Sequence, residues 1–288
     1  MPKQLRDYKV RDWLHLRPLT QGYKTLRYDA ANAAHMKKPA RDERELAAVR
    51  EAITGRRALV TIAFEDAEVI GWQIPLIRRY VACDAHVIAD NSVDDIRASE
   101  VREAALHAGA LYMRLPANKA RESRSHGLAL NWFWTNAVKP ARPQAFGFLD
   151  HDLFPTAPDD PFAPLAGQDF FGVLRIAGER WYLWPGFCLF RFAAVADKPL
   201  DFRQDWFIGL DTGGGNWDVL YHHADRSRLR FMPRVHKPYR EGVPMCESYV
   251  EWSDHWLHEV GYEGRDDLRT DKRAAIGALL APHLAGAA

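Results

Sequence analysis

The sequence predicts an α/β protein: a mostly parallel sheet flanked by helices on both faces. Three observations predict it. Short apolar runs recur at Ala58–Phe64, Ala85–Ala89, Ala110–Leu115 and Phe146–Leu149, each the length and composition of a buried strand. Helix-length segments separate them. Helix-start and helix-stop residues mark the boundaries. Strands that alternate with helices pair in parallel through right-handed crossovers.

Taken in order, residues 1–57 form a basic, polar N-terminal extension. Within it Arg41–Ile53 reads as a helix, because Leu46, Val49 and Ile53 share one face and Gly55 follows. The main domain spans 58–232. After the first strand, Glu65–Tyr80 reads as a helix with an irregularity at Pro75. The second strand ends at Asp90-Asn91. Ser92-Val93-Asp94-Asp95 matches a capping box that opens a helix over Ile96–Ala108, closed by Gly109. After the third strand a loop through Asn118 and Lys119 leads to a helix over Ser125–Val138 and then to Phe146–Leu149. The second half reads as strands at Asp169–Ile176, Trp181–Trp184 and Phe187–Phe192 joined by Gly-containing turns. Asp211-Thr212-Gly213-Gly214-Gly215-Asn216 is expected as a loop opening a helix over Trp217–His223. Residues 233–288 form a C-terminal tail rich in His, Trp and Tyr, with a closing helix at Asp266–Leu284 that Pro282 is able to end early.

Composition narrows the function classes. Of 288 residues 47% are hydrophobic, ample for a full core. The net charge of +1 gives no support to nucleic-acid binding. No apolar run reaches the length of a membrane span, and the basic start lacks the apolar core of a secretory signal. Cys83, Cys188 and Cys246 are isolated and odd in number, which suggests a reducing, cytoplasmic setting. Ten tryptophans suit either a core or platforms for flat or sugar ligands.

The most informative stretch is Phe146-Gly147-Phe148-Leu149-Asp150-His151-Asp152-Leu153-Phe154-Pro155-Thr156. Alternation in a strand points Asp150 and Asp152 the same way, and Pro155 stops a central strand. Two acids so placed repel each other unless a cation or proton lies between them. Hard cations such as Mg²⁺ and Mn²⁺ take carboxylate and phosphate oxygens together. In open α/β sheets ligands bind outside the carboxyl ends of the strands. Phe64, Asp90-Asn91, the 116–121 loop and Asp150-His151-Asp152 all fall at that edge. Asp90 there is able to accept hydrogen bonds from a ligand, or to serve as an Asx turn. Asp254-His255-Trp256-Leu257-His258 puts two histidines three apart, on one face if helical.

Over roughly residues 58–225 the chain resembles the GT-A glycosyltransferases that use nucleotide sugars, nearest to family 2. The resemblance rests on four anchors: Val60-Thr61-Ile62-Ala63-Phe64, Ala89-Asp90-Asn91-Ser92-Val93-Asp94-Asp95, Phe148-Leu149-Asp150-His151-Asp152 as the Asp-X-Asp motif, and Pro185-Gly186-Phe187 with Leu189-Phe190-Arg191 as the acceptor-side turn and strand. It implies a Mn²⁺- or Mg²⁺-dependent hexosyltransferase that moves sugar from a UDP- or GDP-linked donor to an unspecified acceptor, with inversion. It also implies site roles: Asp152 as direct metal ligand, Asp150 on metal, metal-bound water or ribose, and His258 as third ligand ahead of His255 and His236. Phe64, Asp90, Asn91 and Arg124 fall on the donor side. Asp211 is the expected general base, with Asp205 and Asp218 as rivals, and Trp181 and Trp184 are the expected acceptor platform. Two features depart from the family. The usual Arg-Asn pair reads Ser123-Arg124-Ser125-His126-Gly127, and the usual acidic pair near the base reads Leu210-Asp211-Thr212-Gly213. The alternatives are a nucleotidyltransferase and a non-catalytic nucleotide- or carbohydrate-binding module. The glycine-free Glu65-Asp66-Ala67-Glu68 after the first strand argues against the first of these.

Overall fold

A computed structural model describes residues 8–118, 120, 122–205, 209–260 and 266–285. Lys119 lies outside them. The chain opens with helices α1 (Val10–Leu14), α2 (Arg17–Met36) and α3 (Glu43–Ile53). The alternating part follows: β1 (Arg57–Ala63), α4 (Ala67–Tyr80), β2 (Ala85–Asp90), α5 (Asp95–His107), β3 (Leu111–Arg114), α6 (Glu122–Phe133), a π-helical turn at Trp134–Val138, α7 (Lys139–Ala141) and β4 (Ala145–Asp150). Asp66 and Asp94 cap α4 and α5 with their side chains. Pro75 lies inside α4, which continues to Tyr80.

β5 (Leu153–Pro155), β6 (Phe170–Ala177), β7 (Arg180–Arg191) and α8 (Phe192–Val195) come next. The tail adds β8 (Val235–Lys237), β9 (Val250–Ser253), β10 (Trp256–His258) and α9 (Asp266–Leu284). Pro282 sits within α9 and does not end it early.

The main sheet has the order β3-β2-β1-β4-β7-β6. Its first four strands are parallel, and β7 and β6 run antiparallel. The mostly parallel α/β sheet flanked by helices is therefore the observed architecture. Phe146 and Phe148 pack on one side with Phe133 of α6, while Leu149 joins the opposite core. Alternation along β4 then carries Asp150 to the α6 side, at the sheet's carboxyl edge.

Three expectations are corrected. Trp181–Trp184 and Phe187–Arg191 belong to one strand, β7, and Phe192 already opens α8. The expected Pro185-Gly186 turn is a bulge within it: Leu183 faces Leu174 and Cys188 faces Gly172, so Trp184–Phe187 lie opposite Val173 alone. Proline has no N–H to give the ladder, and a bulge accommodates that loss. In place of a helix over Trp217–His223 there are 3₁₀ turns at Gly214–Asn216 and Tyr221–His223. Three glycines disfavour helix nucleation, and Trp217 and Tyr221 wedge into an aromatic cluster around Trp181. Finally, His255 and His258 do not share a helix. They belong to a hairpin of β9 and β10, part of a second, antiparallel sheet ordered β5-β10-β9-β8.

Candidate active site

The second sheet explains how the tail reaches the acids. Pairing of β10 with β5 sets His258 against Leu153, directly after Asp152. Asp150, Asp152 and His258 consequently offer ligand atoms all within 4.8 Å of one another. His258 Nε2 lies 3.5 Å from Asp152 Oδ1, and His126 Nε2 of α6 lies 3.5 Å from Asp150 Oδ1.

Burial sets the electrostatics. It pushes the Asp150 carboxyl above the usual carboxylate range, a shift that His126 opposes. Burial acts the same way on Asp152, but His258 overrides it and holds Asp152 well below that range. Burial disfavours the His258 cation, yet Asp152 pushes its pKa up to about 10. The pair is a carboxylate beside an imidazolium, with a second acid alongside.

The donor set fits a hard divalent cation. Two carboxylates and one imidazole converge, and beside them His126 Nε2, His258 Nδ1 and Glu251 Oε1 are buried without hydrogen-bond partners. Glu251, 1% exposed, faces His258 Nδ1 at 3.8 Å. This carboxylate–imidazole arrangement is the kind that orients a metal-binding histidine. Arg234, His236 and Arg175 hold Glu251 from the other side at 3.2, 3.0 and 3.6 Å.

The turn between the acids is fixed from beneath. Gln73 of α4, fully buried, donates through Nε2 to the carbonyls of Asp150 (2.7 Å) and Leu153 (2.9 Å). Its Oε1 accepts from Thr61 Oγ1 at 2.6 Å, and Thr61 Oγ1 lies 2.9 Å from His86 Nε2. His151, between the two acids, accepts from the Phe64 N–H through Nδ1 at 3.0 Å.

These groups open on a cleft of about 850 Å³. Its carboxylates are Asp150, Asp152 and Asp211; Asp205 and Asp218 do not line it. Asp211 is exposed, and its Oδ1 accepts from Gln204 Nε2 (2.6 Å) and the Thr212 N–H (2.7 Å). The glycines behind it let the loop press onto β7. Gly213 has φ +91°, and a Cβ there would lie 2.6 Å from the Leu183 carbonyl.

Other expected residues divide. Phe64, Asn91 and Trp184 line the cleft. Trp184 lies 4.6 Å from the His258 ring and under the Arg175 guanidinium. Asp90 does not reach it: fully buried, it accepts from the Ser92 N–H and hydroxyl and from Tyr112 OH, which is the Asx-turn role. Arg124 is exposed and stacks 4.4 Å over Tyr28 of α2. Trp181 is 4% exposed and packs with Phe170, Tyr221 and Phe231, so it offers no platform. His255 faces Asp159, and His236 serves Glu251. Gln73, Glu251 and Arg175 were not anticipated. Gln73 reads as one more position of an amphipathic helix, and Glu251 and Arg175 as ordinary strand residues.

No family model and no curated protein matches the chain. Similar solved structures include the mannosyltransferase PcManGT from Pyrobaculum calidifontis in complex with GDP-Man and Mn²⁺, at 16% identity over 70% of this chain and 60% of that one, TM-score 0.40. Another is glucosyl-3-phosphoglycerate synthase from Mycobacterium tuberculosis with Mn²⁺, UDP and glucosyl-3-phosphoglycerate, at 19% identity over 47% and 49%, TM-score 0.29. A third is the apo WbbM bifunctional glycosyltransferase, at 14% identity over 48% and 31%, TM-score 0.32. This chain thus spans less than two thirds of the length of each. The likeness is distant and partial. At these identities and TM-scores it carries no donor, acceptor, metal or residue role across.

Proposed function

We propose that the protein is a cation-dependent glycosyltransferase that takes its sugar from a UDP- or GDP-linked donor. One observation carries the reading: Asp150, Asp152 and His258 converge in a cleft at the carboxyl ends of parallel strands, and Asp211 stands on the same cleft. Asp150, Asp152 and His258 would hold Mn²⁺ or Mg²⁺, with Glu251 and Gln73 keeping them in place. When bound, the cation neutralises charge that develops on the departing diphosphate. Phe64 and Asn91 line the donor side, and Trp184 offers a face to a sugar ring.

In the transfer, an acceptor hydroxyl oxygen bonds to the anomeric carbon as the carbon–oxygen bond to the diphosphate breaks. The bonding pair leaves with the nucleoside diphosphate. The hydroxyl proton passes to the Asp211 carboxylate. Attack opposite the leaving group inverts the anomeric centre. The donor class rests on the resemblance of Phe148–Asp152 to the Asp-X-Asp motif.

Calorimetry of UDP and GDP with Mn²⁺, and again with a chelator, tests the reading. Markedly tighter nucleotide binding with Mn²⁺ is the expected result. Equal affinity in both conditions sinks it.

A further inference from the structure

We propose that the N-terminal helices α1 and α2 dock the protein on an anionic lipid surface. α2 is amphipathic in the reverse sense. Each residue of an α-helix turns about 100°, so Gln21, Thr25, Tyr28, Asn32 and His35 share one side. That side is the one turned to the domain, and its residues are half-buried or buried. Its contacts are polar. Asn131 donates to Asn32 Oδ1 at 3.1 Å, Arg203 donates to the Tyr28 carbonyl at 2.9 Å, and Arg124 stacks on the Tyr28 ring. The opposite side carries Leu19, Tyr23 and Leu26, which are 65%, 65% and 69% exposed. Trp13, Leu14 and Leu16 extend this apolar stripe into α1 and the joint between the helices. A helix that turns polar residues inward and a continuous leucine–aromatic stripe outward is shaped for something outside the domain.

Charge identifies that partner. Residues 1–40 contain nine Lys or Arg and three Asp, a net +6. The whole chain is +1, so the remaining residues carry −5. Beside the stripe runs a groove of about 630 Å³ lined by Arg11, His15, Arg17, Thr20, Gln21 and Lys24, with no carboxylate among them. Apolar and aromatic side chains flanked by Lys and Arg fit an interfacial helix lying at the headgroup level of an anionic bilayer. A second copy of this chain fits worse, because it would set two +6 segments against each other within a Debye length. No described helix is long and apolar enough to cross a membrane, so the attachment lies on the surface.

Flotation of the full chain with vesicles tests this. One set is phosphatidylcholine alone; the other contains about one third phosphatidylglycerol. The bound fraction should be at least about tenfold higher with the anionic vesicles and should fall in high salt. The triple variant Leu19→Ser, Tyr23→Ser, Leu26→Ser should lose binding with an unchanged melting temperature, since all three side chains face away from the domain. The pair Lys24→Glu, Arg27→Glu should lose the preference for anionic vesicles. Equal binding to both vesicle types, or binding retained by the triple variant, overturns the proposal. So does a concentration-dependent dimer in light scattering that the triple variant abolishes, because the stripe would then belong to a second copy.

Discussion

Replacing Gln73 with leucine separates support of the acidic turn from its chemistry. The side chain has similar reach, contacts no cleft space, and is fully buried. The change removes two hydrogen bonds to the Asp150 and Leu153 carbonyls and the one accepted from Thr61. A buried hydrogen bond contributes about 0.5–1.5 kcal/mol, and a carbonyl or hydroxyl left unpaired costs about 1–3 kcal/mol. The Thr61 hydroxyl keeps its contact with His86, so the two carbonyls dominate. A loss of about 2–6 kcal/mol follows, measurable by urea denaturation. The turn would also lose its fixed spacing. Groups that support a metal ligand from behind typically carry 10–100-fold in affinity. Mn²⁺ titrations followed by electron paramagnetic resonance should therefore show roughly that weakening in the folded variant. Thr61→Val, which removes only the hydroxyl that orients the amide, should give a smaller effect in the same direction. If Gln73→Leu loses stability but keeps its Mn²⁺ affinity within about twofold, Gln73 fills the core and does not support the site.

Other outcomes are as specific. Asp152→Asn should lose donor binding and turnover together, whereas Asp211→Asn should keep donor affinity, by calorimetry, and lose about 10²-fold or more in transfer. Full transfer by Asp211→Asn would move the base elsewhere. His258, with its pKa raised to about 10, is protonated at neutral pH and must give up that proton to bind a cation. Mn²⁺ binding at pH 7 should release close to one proton, visible as a dependence of calorimetric heat on buffer ionisation, and should tighten as pH rises toward 10. His86 is held neutral by burial and by Arg78, its pKa lowered to about 3. A depressed histidine contributes stability that is present above its unfolded value of 6.5 and lost as pH falls toward the folded value. The unfolding free energy from urea titrations should fall below pH 6.5 with a slope of up to about 1.4 kcal/mol per pH unit from this group, and His86→Gln should flatten that slope.

Much of the fold was legible because it obeys local rules. β1, β2 and β4 are short, mostly apolar runs, and α5 begins close to the capping signal, although its cap is Asp94 and Ser92 bonds to Asp90 instead. Asp150 and Asp152 were legible because two acids ending a buried strand need a partner. What stayed hidden depends on pairing across long stretches of chain. Nothing near Leu257 announces that β10 will lie along β5, so the spacing of the tail histidines says only that they share a face if helical, and not that His258 meets Asp152 through a strand. Asp90 and Trp181 show the opposite failure. Each has the residue type its role asks for, yet Tyr112 and Ser92 enclose the first and an aromatic cluster encloses the second. Position along the sequence indicated the sheet edge, not the direction in which each side chain leaves it.

The pairing of β5 with β10 also bears on synthesis. Asp152 leaves the ribosome roughly a hundred residues before His258. At about 5–20 residues per second, the two acids wait about 5–20 s beside an unpaired strand edge. Arg273 of α9 then ties the closing helix to Asp66 and Glu259. A chain interrupted between β5 and β10 would hold the acids without their imidazole. On the proposed reading such a fragment would lack one of its three cation ligands, and the site is completed only once β10 has been made.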